Sequence, residues 1–181
     1  FGVDPSITRK EFFKYKFDVE YSRESILSGV RNRYVKEMEG EEISDDLLPG
    51  FELIKNWNLR ADSLNTSAAL SILTLPNAFK PENLKYDRDS ITIKLRENMS
   101  YLKKQYGRID VPLGRVVRLV RGETSLPLSG GPGTLRAIYS KKSGKNYKAV
   151  AGDCYIQAVE WGPEGQLNAW SIHQYGSSTM D

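Results

Sequence analysis

An α+β fold, with helices first and an antiparallel sheet after them, is what this sequence predicts. Three observations carry that reading. Apolar residues recur at helical spacing as far as Gly107, and beyond it the period drops to two. The strand-like runs then follow one another through turns instead of alternating with helices, which separates α+β from α/β. The chain divides accordingly into a helical region, 1–107, and a β-meander region, 108–181, within one structural unit.

The first helix is predicted in "DPSITRKEFFKYKFD", with Ser6 and Thr8 as N-cap candidates and Glu11 at capping-box distance from Thr8. "SRESILSGVRNRYVKEM" sets Ile26, Val30, Tyr34 and Met38 four apart on one face, and Gly40 ends it. In "SDDLLPGFELIKNWNL" Ser44 is the expected cap and Leu47, Phe51, Ile54 and Trp57 the apolar face. Pro49 there requires a place in the first turn, where its missing N–H costs nothing. "NTSAALSILTL" reads as a short apolar helix stopped by Pro76. "DRDSITIKLRENMSYLKKQYG" carries a stripe of Ile91, Leu95, Met99, Leu102 and Tyr106, closed by Gly107.

Strands are expected in "GRVVRLVRG", "TLRAIYS", "YKAVAGDCYIQAVEW" and "LNAWSIHQY". "KKSGKN" and "GPEGQ" supply the turns between the last three, and "LPLSGGPG" is a loop. In the third strand Cys154, Ile156 and Ala158 share one face, and Tyr155, Gln157, Val159 and Trp161 the other.

Composition bounds the function classes. With 181 residues, 39% hydrophobic and 27% charged, the chain is long enough and apolar enough to fold around a core. A net charge of +3 is too small to argue for nucleic acid. The basic stretches "KEFFKYK", "RVVRLVR" and "SKKSGK" are scattered and read as solvated surface. One cysteine excludes an internal disulfide or a multi-thiolate metal centre. No apolar run approaches the ~20 residues of a membrane-spanning helix. No signal sequence opens the chain, and its start at Phe1 without Met suggests a segment of a longer protein.

Each candidate site has a plainer structural explanation. Cys154 and His173, the lone cysteine and histidine, fall on adjacent predicted strands and form the one nucleophile–base pair the sequence offers. A free cysteine in an alternating strand is more simply a small hydrophobe, and the histidine a hydrogen-bonded strand residue. "SGGPGTL" has three glycines without the spacing of a phosphate loop and opens no helix, so it reads as a tight turn. "GEEISDD" lacks calcium-loop spacing and reads as a helix N-terminus. Trp161, Trp170 and Tyr175 read as core and cross-strand packing before they read as a ligand platform. No cofactor or metal follows from these residues.

Several of these stretches, in their order, resemble one family. "DVPLGRVVRLVRG", "LPLSGGPGTLRAIY", "VAGDCYIQAVEW" and "SIHQYGSSTMD" are similar to the penicillin acylases, in the branch of acyl-homoserine-lactone and aculeacin acylases. "ITRKEFFKYKFDVEYSRES" and "LIKNWNLRADSLNTSAALSILT" resemble the helices downstream of that family's catalytic core. The resemblance implies a fragment of the large chain of an N-terminal-nucleophile hydrolase with an αββα sandwich. In such an enzyme a terminal serine attacks an amide carbonyl, its own α-amine serves as base, and oxyanion donors hold the intermediate. The parent reaction is hydrolysis of linear acyl-amides such as acyl-homoserine lactones or penicillins, in the periplasm or outside the cell. The Gly-Ser junction and Ser-Asn start of the nucleophile chain are absent, so no catalytic residue transfers, and Cys154 stands where many relatives have Ser. The fragment alone is expected to be inactive. Its partners are the small chain and the rest of the large chain, or a second copy through unpaired strand edges. The alternative is a free-standing binding or interaction module.

Overall fold

The fold begins at a reciprocal cap. Thr8 Oγ1 accepts from Glu11 N at 3.3 Å, and the Glu11 carboxylate accepts from Thr8 N at 2.9 Å, starting helix α1 (Arg9–Lys16). The computed structural model describes residues 6–76, 86–153 and 155–172. Helix α2 (Ile26–Met38) starts at Ser25, whose hydroxyl accepts from Ser28 N, and it buries Val30, Tyr34 and Met38 as its spacing predicts. Helix α3 (Leu48–Lys55) carries Pro49 in its first turn, and Leu47, Phe51, Ile54 and Trp57 are all buried. The expected Ser44 side-chain cap is absent. Ser44 instead offers its carbonyl to Leu47 N and Leu48 N, while Asp46 reaches across to Arg96.

Helix α4 (Ala68–Thr74) ends with Leu75 extended, as the residue before Pro76 must be. Helix α5 (Arg88–Tyr106) is capped by Asp87 and closed by Gly107 at φ +77°, a left-handed conformation that favours glycine. Ile91, Leu95 and Leu102 face the core, and Tyr34 reaches α5 through a 3.1 Å hydrogen bond to Thr92. One joint was invisible in the sequence. Arg31 of α2 donates to the carbonyls of Ile54 (3.1 Å), Lys55 and Trp57 (3.3 Å), placing a cation on the open C-terminal carbonyls of α3.

Helical period gives way to strand period after Gly107, but the topology is richer than a meander. Leu113–Val116 is a short helical turn, α6, because Leu113 N and Gly114 N are drawn to the carbonyls of Asn65 and Ser63. Strand β1 (Val117–Arg121) therefore starts later than the pattern suggests. A further strand, β2 (Thr124–Pro127), which overlaps the start of the stretch expected to be loop, pairs with it antiparallel. Strands β3 (Ile138–Ser143) and β4 (Asn146–Gly152) form a hairpin over the predicted turn, with Gly144 at φ +59°. β4 also lies parallel to β1, so the sheet is mixed, in the order β2-β1-β4-β3.

The run "YKAVAGDCYIQAVEW" is not one strand. It breaks after Gly152, where Asp153 N donates to Ala137 O at 3.2 Å, and resumes as β5 (Ile156–Trp161). β5 pairs with β6 (Leu167–Ile172) as a separate two-stranded sheet, joined by the expected "GPEG" turn. Its alternation holds: Ile156 and Ala158 are buried, while Tyr155, Gln157, Val159 and Trp161 are exposed. Among the described residues no helix is long and apolar enough to cross a membrane.

Candidate functional site

The glycine loop at residues 129–136 is where the helical region and the four-stranded sheet are fastened together. Gly130 N donates to Ala61 O at 2.7 Å, and Ser63 N donates to Ser129 Oγ at 2.9 Å. Thr134, buried, closes the loop on itself. Its hydroxyl accepts from Gly131 N (3.1 Å) and faces the carbonyls of Gly131 (2.9 Å) and Arg136 (2.7 Å). These bonds explain why "TLRAIYS" is strand only from Ile138: Thr134 to Arg136 are committed to the loop.

Both adjoining glycines are sterically required. Gly130 sits at φ +111°, and a Cβ there would lie 2.3 Å from the Arg136 carbonyl oxygen. A Cβ at Gly131 would lie 2.4 Å from Tyr21 Oη. Tyr21 is 2% exposed, stands edge-on to Trp57 at 5.6 Å, and among the described residues its hydroxyl has no hydrogen-bond partner. Burial, with the Tyr139 phenol nearby, pushes the Tyr21 phenol far above its ordinary range. A shallow cavity of about 240 Å³ opens over this loop, walled by Ile72, Gly131, Pro132 and Tyr139. Its wall is mostly apolar, and the loop's backbone groups are turned inward to Thr134. This arrangement joins elements; it does not present donors to a phosphate or an oxyanion.

A larger cleft of about 700 Å³ lies between the start of α3 and the end of α5, with Asp45, Asp46, Arg96, Lys103, Arg108 and Asp110 on its walls. A hydrogen bond from the Ser44 hydroxyl, with Arg96 beside it, holds Asp46 below the usual carboxylate range. Arg108, hydrogen-bonded to Asp110, does the same for that carboxyl. Both acids are thus ionised and committed to cations, the opposite of a carboxyl tuned for proton transfer near neutral pH. The "ISDD" stretch builds this cleft wall, not the helix cap expected of it. Among the described residues no cluster of three or more potential ligands could hold a metal ion.

The two tryptophans part company. Trp170 packs edge-on against Phe13 at 6.1 Å with the Arg9 guanidinium 4.1 Å above its ring, which pins the β5–β6 hairpin to α1. Trp161 is 72% exposed and packs into no core, contrary to the expectation from its strand. Cys154, His173 and Tyr175 lie outside the described residues. A tyrosine joint, encoded by no local pattern, ties α5 to the sheet. Tyr101 and Tyr106 of α5 both donate to the Lys145 carbonyl at the tip of the β3–β4 hairpin, and Tyr147 stands edge-on to Tyr101 at 5.8 Å. Only the tyrosine-rich composition of these segments hinted at it.

No family model matches this chain. No curated protein matches it either.

Proposed function

We propose that this chain is a scaffold portion of a penicillin-acylase-type amidohydrolase, an N-terminal-nucleophile hydrolase whose full-length form cleaves linear acyl-amides. The observation that carries the reading is the behaviour of the glycine loop. The stretch "LPLSGGPGTLRAIY", which resembles that family, forms a joint in which Gly130 and Gly131 meet Ala61 and Tyr21 of the helical region while Thr134 holds the loop's shape. A motif held by steric necessity at such a joint fits a structural role inside a larger enzyme. The nucleophile, base and oxyanion donors belong, on this reading, to the rest of the parent, and the two sheets are parts of its αββα sandwich. Acyl-homoserine lactones and penicillins are the substrate classes proposed for the parent, with a periplasmic or secreted location.

The test has two arms. The purified chain, incubated with acyl-homoserine lactones and with penicillin, is expected to give no turnover above buffer hydrolysis; turnover by the isolated chain refutes the scaffold role. The parent reading frame is expected to encode a Gly-Ser-Asn junction upstream. A frame without it removes the acylase assignment.

A second reading, a free-standing interaction module, is favoured by one feature. The β5–β6 hairpin turns Tyr155 (56% exposed), Trp161 and Leu167 (61% exposed) away from the other described residues. Within a larger enzyme the same face would be covered by a neighbouring layer, so the upstream reading frame separates the two.

A further inference from the structure

The parallel contact between β1 and β4 sets the basic stretch "RVVRLVR" beside Lys148, and so, across β4, in line with Lys141 of "SKKSGK". Between Leu113 and Gly152 the chain has eight basic side chains and one acidic, Glu123, a net of +7, whereas the whole chain is only +3. The remainder is therefore net −4: this segment holds the positive surplus, with Arg118, Arg121, Lys141, Lys142 and Lys148 on the strands themselves.

The register makes this concentration specific. Arg118 of β1 stands directly opposite Lys148 of β4, and Lys148 stands directly opposite Lys141 of β3. Directly paired residues on neighbouring strands point to the same side, so the three cations form a row, about 4.8 Å from strand to strand. That is the backbone spacing; it sets the exposed Lys141 and Lys148 side by side well inside the Debye length of about 8 Å at physiological salt, so their like charges repel. Among the described residues no carboxylate is ion-paired with any of the three. Arg118 is oriented by neutral acceptors, Gly114 O at 2.9 Å, Ser125 Oγ at 3.1 Å and Ser125 O, which fix its guanidinium without compensating its charge. The hairpin bearing Lys141 and Lys148 is itself held at its tip by Tyr101 and Tyr106. A preorganised row of like charges weakens the sheet unless something outside the chain neutralises it.

We propose that this face of the four-stranded sheet is a docking surface for an anionic lipid bilayer, recognised through its phosphate headgroups. Two features favour a bilayer over a nucleic acid. The three cations stand one per strand across the breadth of the sheet, and of the three only Lys148 borders the hollow of about 470 Å³ that opens between β1 and β4. The neighbour of Lys148 on the same face is an aliphatic residue, Val150, which is 50% exposed, and no aromatic side chain stands in the row to stack a base. A planar cationic face with an exposed aliphatic residue suits a flat array of phosphates above an apolar layer.

Co-sedimentation with vesicles tests this. The chain is expected to bind vesicles of equal parts phosphatidylglycerol and phosphatidylcholine, to ignore phosphatidylcholine alone, and to be released by high salt. At roughly five- to sixfold in affinity for each surface cation, the double variant Lys141→Gln, Lys148→Gln binds about thirtyfold more weakly. The charge-matched control Lys36→Gln, Lys94→Gln, on the exposed faces of α2 and α5, is expected to keep its affinity within about threefold. Circular dichroism of both variants establishes that each is folded. Equal losses in the two variants, or binding to neutral vesicles, overturn the proposal. Tighter binding to a single-stranded oligonucleotide than to the anionic vesicles at the same salt overturns the choice of partner.

Discussion

Replacing Gly131 by alanine should destabilise this protein, and removing one distant hydroxyl should reverse the sign of that effect. Gly131 has no left-handed backbone, so alanine adds no conformational strain and, by restricting the unfolded chain, contributes about 0.4–1 kcal/mol of stability. Against this stands the 2.4 Å approach of the new Cβ to Tyr21 Oη. Tyr21 is buried and braced by Trp57, so it has little room to retreat, and overpacking of this kind costs about 1–3 kcal/mol. The net expectation is a loss of about 1–2 kcal/mol. In a Tyr21→Phe background the offending oxygen is gone, and the next atoms, Tyr21 Cζ and Ile72 Cδ1, lie at 3.4 Å, the edge of ordinary contact. There Gly131→Ala should be neutral or stabilising by about 0.5 kcal/mol. Tyr21→Phe by itself should stabilise by about 1 kcal/mol, because it removes a buried hydroxyl with no described partner. Urea denaturation of the four proteins in the cycle measures all three numbers, with an expected coupling of about 2 kcal/mol. Equal effects of Gly131→Ala in both backgrounds would refute the claim that the glycine loop is seated on the Tyr21 hydroxyl.

Further expectations follow from the same geometry. Thr134→Val keeps the shape but leaves Gly131 N without its acceptor, so it should cost about 2 kcal/mol in urea melts, with Thr134→Ser retaining most of the stability. The phenols of Tyr21 and Tyr101 are pushed upward chiefly by burial. Their neutral forms are therefore favoured in the folded state, and their contribution is complete below the ordinary phenol range of about 10 and lost as pH rises beyond it. Chemical denaturation in alkaline buffers should show that decline, shallower in Tyr21→Phe; an unchanged slope would contradict it. Finally, the exposed Trp161 and Leu167 should drive concentration-dependent self-association that Trp161→Ser, Leu167→Ser abolishes without lowering stability. Light scattering that finds only monomer at high concentration would count against this.

What the sequence discloses here is what neighbours in the chain decide. The Thr8–Glu11 cap, the α2 face from Val30 to Met38, the place of Pro49 in the first turn of α3 and the closing role of Gly107 all depend on residues within about a turn of each other, so spacing reveals them. The same holds for the hairpin turns at Gly144 and Gly165, both at positive φ. The glycine loop was legible as a turn, but its role was not. The steric need for Gly131 comes from Tyr21, 110 positions earlier, and no local pattern encodes that meeting. Periodicity also failed at Asp153, since the alternation before and after the break is alike, and an apolar–polar pattern cannot say that two strands belong to different sheets.

The parallel pairing of β1 with β4 shows why such non-local facts matter for function. Read singly, each basic stretch is an ordinary solvated strand or hairpin, and the small overall charge argues for no anionic partner. The connection through β2, the glycine loop and β3 carries the chain back so that Arg118 meets Lys148, and one contact of two residues turns two unremarkable segments into a single cationic row. An antiparallel meander of the same strands would run β1-β2-β3-β4 and leave two strands between Arg118 and Lys148. The charge that a partner would feel is therefore a property of strand order, and it rests on the same joint, Gly131 against Tyr21, that sets the sheet on the helices. A variant that loosens that joint should weaken the cationic face along with the fold, whereas exchanging Lys141 and Lys148 should silence the face and leave the joint intact.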